Sequence, residues 1–129
     1  MKIIRFAMLA FIVAAGCDIP QRPVSEGNVT GSFFTELFGK RCSAEILFGS
    51  YAGGIDDESY GEIKNLLSAR GGQLTTKEKP WGREGEKAIC VDIASASAAD
   101  RLVQEVAAII AAHEPTKGPV TVTRGPPLP

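Results

Sequence analysis

Two helical stripes, set among strand-like runs, constrain this chain more than any other feature. Leu102, Val103, Val106, Ile109 and Ile110 recur at helical spacing and form one apolar stripe. Ser97 with Asp100 three residues on makes a capping-box-like start, and Pro115 marks the stop. Over Asp57 to Arg70, Tyr60, Ile63, Leu66 and Leu67 repeat in the same way. Asp56 or Asp57 caps that helix, the acids at 56, 57 and 58 suit its positive end, and Gly71-Gly72 stops it. A helix with one apolar stripe must bury it against another layer, and the intervening segments supply that layer. Ser43 to Phe48 reads as a strand bounded by Gly49-Ser50. Gln73 to Lys79 is polar and lysine-bearing, as a protected edge strand is. Pro80 to Glu86 reads as a loop, and Lys87 to Ile93 as a stronger strand in which Ile89, Val91 and Ile93 alternate with Ala88, Cys90 and Asp92. After Gly118-Pro119, Val120 to Arg124 reads as a short strand.

The order is strand, helix, strand, strand, helix, strand. Right-handed crossovers then place both helices on one face of a four-stranded antiparallel sheet, an α+β arrangement that resembles the ferredoxin-like βαββαβ plait. Residues 41–124 carry this sandwich. The chain of 129 residues is 44% hydrophobic, ordinary for one packed domain with tails. A formal net charge of -1 and the lack of a basic run exclude a nucleic-acid binder that works by neutralising phosphates.

The N-terminus bears on address rather than fold. Lys2 and Arg5 form a positive start, Phe6 to Ala15 runs without a charge, and Ala14-Ala15-Gly16 ends in small side chains before Cys17. This is the layout of a secretory signal peptide over residues 1–16. Ten apolar residues in a helix span only about 15 Å, half a hydrocarbon core, so a permanent membrane span is the weaker reading. Ala14-Ala15-Gly16-Cys17 resembles the lipobox of bacterial lipoproteins. The resemblance implies that the signal peptide is removed and that Cys17 carries a diacylglycerol thioether, with its new amino group open to acylation. Two or three acyl chains, at about 0.8 kcal/mol per buried methylene, anchor a protein stably. Asp18 resembles the mark for retention in the inner membrane. Loss of Lys2 and Arg5 takes the 14 basic residues to 12 against 15 acidic ones, so the processed chain has a net charge of -3 and gains nothing from anionic headgroups. The covalent lipid does the anchoring, and no other cofactor is expected.

Residues 17–31 read as the lipidated terminus and a flexible tether, rich in Pro, Ser and Gly. Asn28-Val29-Thr30 matches a glycosylation sequon, by chance in a bacterial lipoprotein. Residues 32–40 read as a short aromatic helix, with Ser32 as N-cap, Gly39 as C-cap and Phe33, Phe34, Leu37 and Phe38 on one face. A hairpin arm through Gly39-Lys40 competes with it. These rings pack on the domain, dip into a bilayer surface or dock on a partner. Residues 125–129 form a proline-rich tail.

Candidate chemistry is sparse. Cys42 and Cys90 form a disulfide in an oxidising compartment or stay as two separate buried thiols. Pairing meets an obstacle, because Cys90 alternates away from the helices while Cys42 is in phase with Ala44, Ile46 and Phe48, and a distortion at the strand start is needed. No second Cys or His stands at metal-ligand spacing, so no metal is expected. His113, in the last turn of its helix, suits a cation at the negative end better than general-base chemistry. Gly49-Ser50-Tyr51-Ala52-Gly53-Gly54 lacks the ending of a phosphate-binding loop, and the acids after it would repel an anion. Those acids also lack the ligand repeat of a calcium loop. Trp81, with Arg83, in a surface loop resembles a binding hot spot.

These features point to a lipid-anchored, periplasm-facing, non-catalytic protein-interaction domain, with Trp81, Arg83, Phe33 and Phe34 as partner-binding residues. The alternative is a small-ligand or sensor module that uses the open face of the sheet through Glu45, Leu47, Cys90 and Asp92.

Overall fold

The structure, a computed structural model, describes residues 25–126, with side chains from Gly31 onward. The signal peptide, Cys17, Asp18 and the first part of the expected tether lie outside the described residues, as does the end of the tail. The elements run α1 (Ser25–Phe38), β1 (Ala44–Phe48), α2 (Asp57–Ala69), β2 (Leu74–Trp81), β3 (Glu86–Ile93), α3 (Ala96–His113) and β4 (Val120–Arg124). The four strands form one antiparallel sheet in the order β2-β3-β1-β4. The fold is α+β.

Helices α2 and α3 share one face of the sheet. Ile63 and Leu67 of α2 and Ala99, Leu102 and Val106 of α3 are buried against Ala44, Ile46, Phe48, Ile89, Val91 and Ile93. Burying each large aliphatic side chain contributes about 1.5–3 kcal/mol over leaving it in water, so this layer is the main source of stability. The caps are local. Asp56 Oδ2 accepts from Ser59 N at 3.0 Å and opens α2. Helix α3 starts earlier than the Ser97–Asp100 pattern suggests. Ser95 is its N-cap, accepting from Ala98 N at 3.3 Å, while Asp100 pairs with Arg124 Nε at 2.8 Å. Glu114, left-handed at φ 45°, ends α3 just before Pro115.

Two further boundaries and one face of the sheet differ from the sequence reading. Helix α1 begins at Ser25, inside the stretch read as tether, and Ser32 is an interior residue of it; Gly39, at φ 76°, follows its end. The expected loop Pro80–Glu86 shrinks to the turn Gly82–Gly85, because Pro80 and Trp81 stay on β2 opposite Lys87 and Glu86 of β3. Gly82 and Gly85 take φ of 70° and 83°, which makes so tight a turn accessible. Finally, the second face of the sheet, expected to be open, carries α1.

Candidate interaction surface

The second face is built around a disulfide. Cys42 and Cys90 are joined with their Cα atoms 5.5 Å apart, and both are buried. The phase obstacle is resolved at Ser43, just before β1. Its hydroxyl accepts from Ile93 N and donates to Ile93 O, each at 3.1 Å, standing in for a backbone rung. The side-chain alternation of β1 therefore does not extend to Cys42. The same turn brings Cys42 N within 3.2 Å of Glu45 Oε1, to which it donates.

Glu45 is wholly buried on this face, opposite Cys90 in the ladder. Arg41 meets its carboxylate with Nε at 2.7 Å and Nη2 at 3.4 Å. A carboxylate out of water persists only when paired and hydrogen-bonded, and Arg41 with the Cys42 amide supplies both. Above them lies α1. Phe34 is fully buried against Cys42, Ala88 and Cys90, and stacks on Phe38 with ring centroids 5.5 Å apart. The helix passes close over Arg41 at Gly31, where an added Cβ would run into the guanidinium. Lys79 Nζ donates to Leu37 O at 2.8 Å, and Lys40 pairs with Asp92 at 2.5 Å.

This arrangement corrects several expected site residues. Trp81 is not in a surface loop. It ends β2, its ring meets Phe33 edge-on at 5.3 Å, and its Nε1 has no acceptor among the described residues. The ring thus belongs to the seat of α1, with Phe33 half-buried beside it. Phe34, at 0% exposure, presents nothing to a partner. The four residues expected to line an open face do not line one: Glu45 and Cys90 are buried, Leu47 packs in the same cluster, and Asp92 is paired with Lys40. Arg83 alone among the expected partner-binding residues stays exposed, at the β2–β3 turn.

The exposed aromatic lies elsewhere. Tyr51, between β1 and α2, is 71% exposed, and no other large hydrophobic side chain among the described residues is exposed. Its backbone is held. Tyr51 N donates to Lys117 O at 2.9 Å and Gly49 N to Pro119 O at 2.8 Å, while Ser50 Oγ accepts from Gly54 N at 3.0 Å. A Cβ on Gly54 would lie 3.9 Å from Glu84 O, so the Tyr51 loop runs beside the turn that carries Arg83. The sequence reading weighed this glycine-rich setting as a phosphate-binding loop and rejected it. The signal it passed over was the aromatic ring among those glycines.

His113 closes α3 as expected, yet its ring works across the helix pair, contacting Glu62 through Nε2 and lying 3.6 Å from Glu58 through Nδ1. The hydrogen bond its ring donates to Glu62, aided by both carboxylate charges and opposed by desolvation, raises its pKa above the ordinary 6.5. Tyr60, the α2 aromatic, is pushed up to about 12 by burial and by its hydrogen bond to Glu78. A cleft of about 260 Å³ lies between Arg70, Leu74, Ile93, Ser95 and Ala98, on the α2/α3 side. Among the described residues no group of three or more His, Cys, Asp or Glu is placed to hold a metal ion, and no helix is long and apolar enough to cross a membrane. Comparisons with protein-family models, curated proteins and solved structures gave no match.

Proposed function

We propose that this protein is a lipid-anchored, periplasm-facing envelope component whose domain binds another protein and carries out no catalysis itself. Support for the address comes from Ala14-Ala15-Gly16-Cys17 and from the Cys42–Cys90 disulfide, since structural disulfides persist in oxidising compartments. Asp18 favours the inner membrane in this reading. The start of α1 adds a limit on reach. The eight residue steps from Cys17 to Ser25 can span at most about 28 Å, so the domain would stand close to the headgroups.

We place the partner surface at the Tyr51 loop and the Arg83 turn. The observation that carries it is Tyr51, 71% exposed on a backbone held by hydrogen bonds to residues 117 and 119. Tyr and Arg are enriched at interface hot spots, and a pre-ordered loop has less entropy to lose on binding. We also read the architecture as the ferredoxin-like plait with α1 added to its second face; the strand order and the common face of α2 and α3 support this.

Intact mass of protein extracted from membranes tests the anchor, and Cys17→Ser is expected to release the chain from them. A photoreactive residue at position 51 tests the surface in living cells. A discrete adduct is expected there and none from the same probe at Thr76 on β2. Equal labelling at both positions, or none at 51, removes the proposed surface.

A further inference from the structure

The two edges of the sheet differ. Strand β2 ends one side and carries Lys77, Glu78, Lys79 and Pro80, all exposed, the charges and proline that keep a free edge from pairing with another chain. Strand β4 ends the other side with Val120-Thr121-Val122-Thr123-Arg124 and carries a single charge. That charge is turned back into its own domain. Arg124 donates to Asp100 Oδ1 at 2.8 Å and to Ser43 O at 2.9 Å. Nothing among the described residues pairs with the outer side of β4.

The direction of its free groups can be read from the ladder. Ala44 stands opposite Arg124 and Phe48 opposite Val120. Gly125 N donates to Ser43 O at 2.9 Å and Gly49 N to Pro119 O at 2.8 Å, so residues 119, 121, 123 and 125 spend their backbone bonds on β1. By alternation, Val120, Val122 and Arg124 turn their N–H and C=O groups outward. A second β4 running antiparallel, with Val122 on the two-fold axis, meets this pattern with its own. Val122 bonds to Val122 of the second copy, Val120 to Arg124, and Thr121 faces Thr123, a favourable cross-strand pair.

A five-residue strand pair alone falls short of the roughly 1,000 Å² expected of a specific interface. The adjacent helix extends it. Asp100 marks the side of α3 that looks toward β4, and Val103, Ala107 and Ala111 continue that stripe at helical spacing; Ala107 and Ala111 are exposed and Val103 half-buried. It holds no charge beyond the occupied Asp100, and its alanines allow close approach. We propose that the β4 edge and this α3 stripe dock a second copy of this chain, joining two sheets into one of eight strands. This surface is separate from the Tyr51 loop and does not depend on the function proposed for it.

The register supplies the test. Thr121 and Thr123 of opposing copies form a non-hydrogen-bonded pair with Cα atoms about 4.5 Å apart, within disulfide range, whereas Thr121 with its own equivalent is roughly 8 Å apart and outside it. Full-length Thr121→Cys and Thr123→Cys chains, co-expressed and oxidised in cells, are expected to give a cross-linked dimer that neither gives alone and the parental chain lacks. Ala107→Glu, at an exposed helical position, is expected to cut that adduct several-fold by setting two carboxylates across the axis. An adduct with some other protein, equal yields from single and mixed chains, or no adduct overturns the proposal, and an unchanged yield with Ala107→Glu overturns the part assigned to α3.

Discussion

The two faces of one sheet are held by different physics. On the α2/α3 face the contacts are aliphatic and spread over many side chains: Ile46, Ile63, Ile89, Val91, Leu102 and Val106 all lie at 0% exposure in one cluster. On the α1 face the cluster is small, and specific links hold it: a disulfide, a buried Glu45 with its Arg41, and a chain of rings from Trp81 through Phe33 and Phe34 to Phe38. A distributed apolar layer loses little when one contact weakens. A face built on a few specific links should open locally when one is cut, and the two faces should therefore fail separately.

The largest effect is expected from the disulfide. Cys42→Ser with Cys90→Ser opens a loop of 48 residues, worth about 4 kcal/mol in the chain-entropy model. Denaturant unfolding should show the loss, and hydrogen exchange should show amides of 33–38 released before those of α2. Simultaneous release of both would break the comparison. Leu102→Ala on the other face should cost about 3 kcal/mol and lower the unfolding midpoint of the whole domain, without freeing α1 first. Arg41→Ala leaves Glu45 buried without its cation and should cost about 2 kcal/mol, less than a fully enclosed pair because water reaches Arg41. Adding Glu45→Gln should recover part of that loss, and no recovery would show that Arg41 acts by packing alone. The smallest effect belongs to His113. A pKa raised on folding means that its contact with Glu62 and Glu58 stabilises fully below the ordinary 6.5 and is lost as pH rises through the folded value. The Tm difference between wild type and His113→Ala should thus be larger at about pH 5 than at about pH 8. A difference that grows with pH would reverse the assignment.

Legibility followed the same division. The helices at 57–70 and around 97–113, the alternation of Ile89, Val91 and Ile93, and the short strand at 120–124 were readable because each repeats a local period. Boundaries failed where a long-range contact decided them. Trp81 reads as loop from Pro80 and the glycines after it, yet pairing with Glu86 and the ring of Phe33 keep it on β2. Phe34 reads as a core residue or as a docking residue, because nothing local says whether a surface waits for it. Of the expected partner-binding residues, only Arg83 remains exposed, and Tyr51 became visible only once neighbouring segments had buried or partly covered every other large apolar side chain described.

By itself, then, the sequence determined the order of elements and the layer beneath α2 and α3, since periodicity and capping act over a few residues. Tertiary structure alone decided the seat of α1, the turn at Ser43 that brings Cys42 to Cys90, and the inward course of Arg124. Those depend on partners dozens of positions away, such as Ser43 with Ile93 and Arg124 with Ser43, and only the folded sheet brings them within bonding distance.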